Sequence, residues 1–330
     1  LRDLLEQPEA QGPAVRDGDP AASAGGRAAS RKAGRREVAS LATEHRQAWE
    51  EEYRRVLRRL LDLMNRGIAR GGIRPCNPVV TIRAILGALD WSFYWLYEMP
   101  REEASSVSGV LRDIFSHGLL SKTGNPQIED FSGLGVLAAE ADAFDRNTQN
   151  RLKQEAFLKA GTRCFNQKGF SGTSLDEIAE QLQVSKGAFY YHFTSKEALL
   201  TQCFDYSLDQ LERVMARVAS LDKSPFIKLE VACRHIFSLQ NSDQGPLVHF
   251  NAITSLPPAV RQRLLERVDA VHGTLEGFIE DAIQENQFRP VRAGIVIQLL
   301  TGALNAAMDL EEWQSIESIE HSASDARISR

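Results

Sequence analysis

The chain predicts an all-α protein, and three observations in its 330 residues carry that reading. Apolar residues recur at three- and four-residue spacing almost throughout, the period of a helix face, while alternation at every second residue is nearly absent. Two long periodic stretches each end in an Arg-Pro pair, Arg74-Pro75 and Arg289-Pro290, and a second apolar stretch follows each break; proline ends one helix and lets another begin. The third observation is an internal repeat. A gapless shift of 215 residues aligns Ser40-Leu41 with Ser255-Leu256, Arg74-Pro75 with Arg289-Pro290, and Gly87-Ala88-Leu89 with Gly302-Ala303-Leu304. The chain is therefore expected to hold two copies of one helical body.

Bulk properties narrow the function. A hydrophobic fraction of 43% supports real cores, and a net charge of −5 excludes a protein coated in nucleic acid. From Arg151 to Leu200, however, seven Lys/Arg face five Asp/Glu, a local excess of +2 on an acidic chain. The four cysteines, Cys76, Cys164, Cys203 and Cys233, have no metal-site spacing and no paired pattern, so free thiols in a reducing cytoplasm are expected, with no metal and no cofactor. No stretch approaches the ~18 apolar residues of a membrane span, and no signal peptide is visible. His235, His249 and His272 lack acidic or cysteine partners at catalytic spacing, and no nucleophile elbow or phosphate loop occurs. An enzyme is not expected.

In chain order, residues 1–120 read as the first body, interrupted at 8–38 by a low-complexity loop rich in Ala, Gly, Pro, Ser and Arg. The basic pairs Arg31-Lys32 and Arg35-Arg36 within it read as a solvated basic loop. The second apolar helix of this body carries Trp91, Tyr94 and Trp95. Such a stripe lines a pocket for a small apolar ligand or packs as core or pairing interface, and both readings stand on the sequence. At the matching place the second body has Ala306, Ala307, Met308 and Asp309, so the two would not sense one molecule equally. Residues 121–147, with Gly124-Asn125-Pro126 and Gly133, read as a linker.

Residues 148–209 read as a small head. A first helix from about Thr148 to Gln167 turns Phe157, Ala160, Cys164 and Phe165 inward, and Gly169 suits the left-handed position after it. Ser174 and Glu177 have the spacing of a capping box that starts a second helix, on which Leu175, Ile178, Ala179 and Leu182 form one buried face. Ser185 suits the N-cap of a third helix, and Ser195 that of a fourth. The third is thin at Gly187 and Ala188, turns Phe189 and Phe193 to the core, and leaves Lys186, Tyr190, Tyr191 and His192 exposed. Two short helices across a tight turn, at about 173–192, form a helix-turn-helix that lays its second helix in the DNA major groove. Lysine there reaches a guanine edge or a phosphate, tyrosine and histidine reach phosphates, and Lys196 opens the fourth helix beside a further phosphate position. Residues 210–330 read as the second body.

The run from Phe165 through Gly169-Phe170, Thr173-Ser174, Ile178-Ala179, Val184-Ser185-Lys186-Gly187 and Phe189-Tyr190-Tyr191-His192-Phe193 to Ser195-Lys196-Glu197 resembles the amino-terminal domain of TetR-family transcriptional regulators. The Arg-Pro break and the apolar helix after it resemble, more weakly, that family's carboxy-terminal domain. The resemblance implies an all-α dimer in which a three-helix head joins a larger ligand-binding and dimerising domain through a fourth helix. Carried residue by residue, it implies DNA contacts from Ser174, Lys186, Gly187, Ala188, Tyr190, Tyr191, His192 and Lys196. Gln183 departs from the family pattern, which has glycine in that turn.

The leading expectation is a ligand-responsive transcriptional regulator, a repressor, whose partners are a palindromic double-stranded DNA operator and a small apolar ligand. Two heads must then sit at half-sites roughly 34–36 Å apart, in a homodimer or a pseudo-dimer. The repeat register places a first head upstream of Leu1, so a tandem protein whose first head lies outside these residues is expected. The alternative is a ligand-binding or protein-interaction module whose head no longer reads DNA.

Overall fold

The computed structural model describes residues 43–96, 99–121, 146–242 and 245–306. Among them are ten α-helices and no strand: α1 (Thr43–Ala69), α2 (Pro78–Trp95), α3 (Arg101–His117), α4 (Arg146–Gly172), α5 (Leu175–Gln181), α6 (Lys186–His192), α7 (Lys196–Ala219), α8 (Pro225–Gln240), α9 (Pro258–Gln284) and α10 (Ala293–Ala306). A 3-10 turn, Phe250–Ser255, precedes α9. The loop expected at 8–38 and most of the linker expected at 121–147 lie outside the described residues.

Two pairs of helices stand at the offset of the repeat register. α1 and α9 each hold 27 residues and start 215 positions apart, as do α2 and α10. Their boundaries have local causes. Asn77 caps α2, its Oδ1 accepting from the Val80 amide at 3.1 Å with Pro78 opening the first turn. At the end of α3, Gly118 takes φ +71°, a conformation that favours glycine.

Among the described residues the first half has a small core of its own, Leu57 and Leu61 of α1 against Val79 and Ile82 of α2. Apolar side chains of α3 and of the end of α2 pack against the second half. Val107 and Ile114 of α3 share one core with Val214 and Val218 of α7, Ile236 of α8, Ile279 and Ala282 of α9, and Val296 of α10. Arg289 locks this docking: its Nε donates to the Gly118 carbonyl at 2.6 Å and its Nη1 to Asp113 Oδ2 at 2.5 Å. That hydrogen bond holds the Asp113 carboxyl below the usual range. α2 and α10 pack together more extensively than any other helix pair, joining the two halves along a seam.

A second core belongs to the head and runs on into the body. Phe157, Phe165, Ile178, Phe189, Phe193 and Leu199 continue through Cys203 and Phe204 to Val248 and Leu264. α7 and α9 are tied across this junction by a charged cluster in which Arg267 donates to Asp205, Asp209 and Glu212, while Arg263 grips Asp205 with two bonds.

Cys76, Cys164, Cys203 and Cys233 are free thiols, and burial pushes Cys203 and Cys233 up to about 12. Among the described residues no helix is long and apolar enough to cross a membrane. No group of three or more His, Cys, Asp or Glu among them could hold a metal ion.

Candidate nucleic-acid interface

The head is built from α4 to α6 and the start of α7. α4 runs further than the sequence predicts, but its regular part ends at Gly169, whose φ of +69° and ψ of 175° lie where side-chain-bearing residues are strained. The break turns Phe170 back to stack on Phe165 at 6.0 Å between ring centroids. The Thr173 hydroxyl then donates to the Gly169 carbonyl at 2.8 Å, closing the corner.

Ser174 is the N-cap of α5 by its backbone, yet its side chain makes no capping bond and stays exposed. The expected capping box with Glu177 is therefore corrected. Glu177 instead forms an ion pair with Lys168 at the end of α4, a partner nine residues upstream that helix spacing does not reveal. Leu175, Ile178 and Ala179 bury the inner face of α5 as the periodicity predicts.

The turn into α6 passes through Gln183 at φ +55°. The Val184 amide bonds back to Ala179 and the Gln183 amide to Glu180, which fixes that conformation. A side chain there is strained. Gln183→Gly is expected to raise head stability by a few tenths to about 1 kcal/mol, the relief of strain being partly offset by the greater entropy of an unfolded glycine. Urea unfolding measures it; a loss of more than about 0.5 kcal/mol would contradict the strain argument.

α6 divides its residues between two environments. Ser185 Oγ accepts from the Ala188 amide at 3.2 Å to start it. Phe189 and Phe193 are fully buried, packed against Phe157 at 5.3 and 6.1 Å. The opposite face exposes Lys186, Gly187, Ala188, Tyr190, Tyr191 and His192, with Tyr191 85% accessible. A Cβ added at Gly187 would meet no atom within 4 Å, so this part of the helix faces open space. His192 also rests on Phe157 at 5.3 Å, so its ring is anchored although exposed.

Asp176 of α5 is a residue that sequence reasoning missed. It accepts from Lys186 Nζ at 2.6 Å and from the Tyr190 hydroxyl at 3.3 Å, so one carboxylate holds two of the expected DNA-contact side chains. The Lys186 bond lowers the Asp176 carboxyl below its ordinary value and raises the Lys186 ammonium, keeping both charged near neutral pH. Only the packing of α5 on α6 creates this trio. Lys196, expected at a phosphate, is turned inward: its Nζ donates to the Thr173 carbonyl at 3.0 Å and lies 4.6 Å from the centre of the Phe170 ring.

Besides the shared core, two features help fasten the head to the body among the described residues. One is α7, whose N-cap Ser195 accepts from the Ala198 amide at 3.1 Å. The other is the strap 245–249. Asn166 of α4 donates to the Leu247 carbonyl at 2.9 Å and accepts from the His249 amide at 2.8 Å, while Ser207 of α7 accepts from Val248 and Gln240 of α8 from Leu247. The strap leads into Phe250, whose ring meets Trp91 of α2 edge-on at 5.2 Å.

That contact bears on the aromatic stripe. Trp91 is buried, with its indole N–H donating to Gln298 Oε1 at 2.7 Å, so protein groups surround it on the seam. Trp95 packs against the shared body core. The side chain of Tyr94 lies outside the described residues.

Comparison with known proteins gives consistent matches. Residues 157–203 match the family model for bacterial regulatory proteins of the tetR family. Residues 26–119 match that for the tetracyclin repressor-like C-terminal domain, so the C-terminal match precedes the N-terminal one along the chain. The uncharacterized HTH-type transcriptional regulator YerO of Bacillus subtilis (strain 168) is 35% identical over 86 residues, 25% of this chain and 30% of that protein. The transposon Tn10 TetC protein of Escherichia coli is 27% identical over 150 residues, 45% of this chain and 74% of its own length. The biofilm operon icaADBC HTH-type negative transcriptional regulator IcaR of Staphylococcus aureus (strain Newman) is 46% identical over 46 residues, 13% of this chain and 25% of its own length. The chain thus spans less than a third of YerO and of IcaR.

Proposed function

From the premise that the chain belongs to the TetR family of transcriptional regulators, we propose that it is a sequence-specific DNA-binding regulator, a ligand-responsive repressor that reads a palindromic operator with α6 in the major groove. The observation that carries this reading is the division of α6: Phe189 and Phe193 anchor one side in the core, so Lys186, Tyr190, Tyr191 and His192 stand together on the other. Lys186 reads a base edge or a phosphate beside the thin front of Gly187 and Ala188, Tyr190, Tyr191 and His192 hold phosphates, and Ser174 adds a contact from the start of α5. Lys196 sits behind them as a brace on the Thr173 carbonyl and swings to phosphate on binding. IcaR is by its description a negative regulator, which favours repression over activation.

The organisation that goes with this reading is a first body over 1–120, a head over 148–209 and a second body over 210–330. The 215-residue offset of α1 and α2 from α9 and α10, and the C-terminal family match lying ahead of the head, both support it. The bodies respond to a small apolar ligand that shifts the head away from its DNA-bound position.

The test is binding measured on duplexes selected by the protein itself from a random-core DNA library. Enrichment of a defined motif is expected, with an affinity that falls steeply as salt rises. Lys186→Ala is expected to weaken binding to the selected duplex about 10-fold, or about 1.4 kcal/mol. Absence of any motif above non-specific binding at physiological salt would end the proposal. A second reading, in which the head serves protein interaction, is favoured by Asp176 neutralising Lys186. Asp176→Asn separates the two. A DNA reader freed of that carboxylate binds its duplex several-fold tighter, by an amount that salt reduces, whereas an interaction module gains nothing.

A further inference from the structure

The repeat register makes Gly87 and Gly302 equivalent positions, and the structure makes them neighbours. A Cβ placed on Gly87 would stand 2.5 Å from the Gly302 carbonyl oxygen, and one placed on Gly302 would stand 2.7 Å from the Gly87 carbonyl oxygen. Equivalent positions that touch one another lie on the two-fold axis relating their halves. The contacts around them come in matched pairs. Gly87 faces Ala306, and Gly302 faces Trp91, which is the residue equivalent to Ala306. Arg83 Nη2 donates to the Ala306 carbonyl at 3.4 Å, while Gln298, equivalent to Arg83, accepts from Trp91 Nε1 at 2.7 Å.

The positions are two-fold related, but the side chains are not. We infer that the α2–α10 seam is a self-complementary pairing surface whose two faces are carried on one chain, and that Trp91 and Gln298 make it select the unlike half over a like one. Two second faces brought together would set each Gln298 against an alanine, with no indole N–H to donate and a void where the ring sits. Two first faces would bury two Arg83 side chains together, where the pair that exists buries a single one at 2% exposure, and would supply no Gln298 acceptor for either indole. Selection of this kind comes from an attraction in the right pair, from a penalty in the wrong ones, or from both, and the seam combines the two. Its occupant is fixed as the other half of the same chain, so a second copy of the protein finds this face covered. The inference rests on the seam and not on the DNA reading, and its test contains no DNA.

The test uses the full chain in sedimentation velocity and thermal unfolding over about 1–100 μM. The expected result is a single-chain mass and a Tm that does not move with concentration. Gly302→Leu forces side-chain volume into the backbone contact and is expected to open the seam and cause concentration-dependent association. A two-chain species of the unaltered protein that Gly302→Leu abolishes would overturn the inference, because the seam would then join chains. A two-chain species that survives Gly302→Leu would place the contact between chains on another face and uphold the internal seam. Selectivity is read from Trp91→Ala, Gln298→Ala and the double variant, which does not depend on Gly302→Leu folding. Each single change is expected to lower Tm, and the double change to cost about half the sum or less. Strictly additive losses would overturn the assignment of Trp91 and Gln298 as the selective pair.

Discussion

Phe189→Ala is expected to lower head stability by about 3–5 kcal/mol and to abolish specific DNA binding while the body remains folded. Phe189 is fully buried in α6 and lies 5.3 Å from both Phe157 and Phe193, so its removal opens a hole in the part of the core that holds α6. Such a loss is a large share of the 5–15 kcal/mol that holds a domain. The face of α6 that carries Lys186 and Tyr190 is positioned chiefly by this buried side of the helix, so both readouts should fall together. Hydrogen exchange resolves them by segment: amides of α5 and α6 should lose protection, and those of α9 and α10 should keep it. Equal loss along the whole chain would show that the head does not unfold as a separate unit, and unchanged protection would refute the anchor.

Replacing Arg267 by leucine is expected to cost about 2 kcal/mol, the estimate being reduced because the carboxylates around it are partly exposed to water. The guanidinium is 22% exposed and donates at 2.6–3.0 Å to Asp205, Asp209 and Glu212. These acids stand on one face of α7, and without the cation they repel one another. The pH dependence has a definite sign. Arg267 holds the Glu212 carboxyl below its ordinary value, so this stabilisation is present above the unfolded pKa and is lost as pH falls through the folded one. The difference between the parent and Arg267→Leu should therefore narrow on acidification below about pH 5, measured as urea midpoints at pH 7 and pH 4. A gap of equal size at both pH values would show that the loss is one of packing rather than of charge.

Much of the fold was legible because its causes are periodic or local. The 215-residue register found by identity alone is the offset of α1 from α9 and of α2 from α10. Ser185 and Ser195 act as the caps their positions predict, and Gly169 takes the positive φ that its place after a helix requires. What escaped depends on contacts between elements. Glu177 turns to Lys168 rather than to the Ser174 amide, and Asp176 acquires its two partners only when α5 and α6 pack. Lys196 reads as a phosphate ligand in sequence because nothing local announces the Thr173 carbonyl 23 residues before it. Trp91 reads as a pocket or pairing residue in sequence, and no local spacing announces that its indole nitrogen donates to Gln298, 207 residues away.

The seam also has a consequence for how cells use this protein. Two bodies translated as one chain are made in equal number, and tethering holds them at an effective concentration in the millimolar range whatever the amount of protein present. A regulator that must find a second molecule is depleted as the square of its abundance when copies are few. A chain in which Gly87 already rests on Gly302 stays paired as a single molecule. The pairing of its two bodies is therefore expected not to depend on how many copies a cell holds.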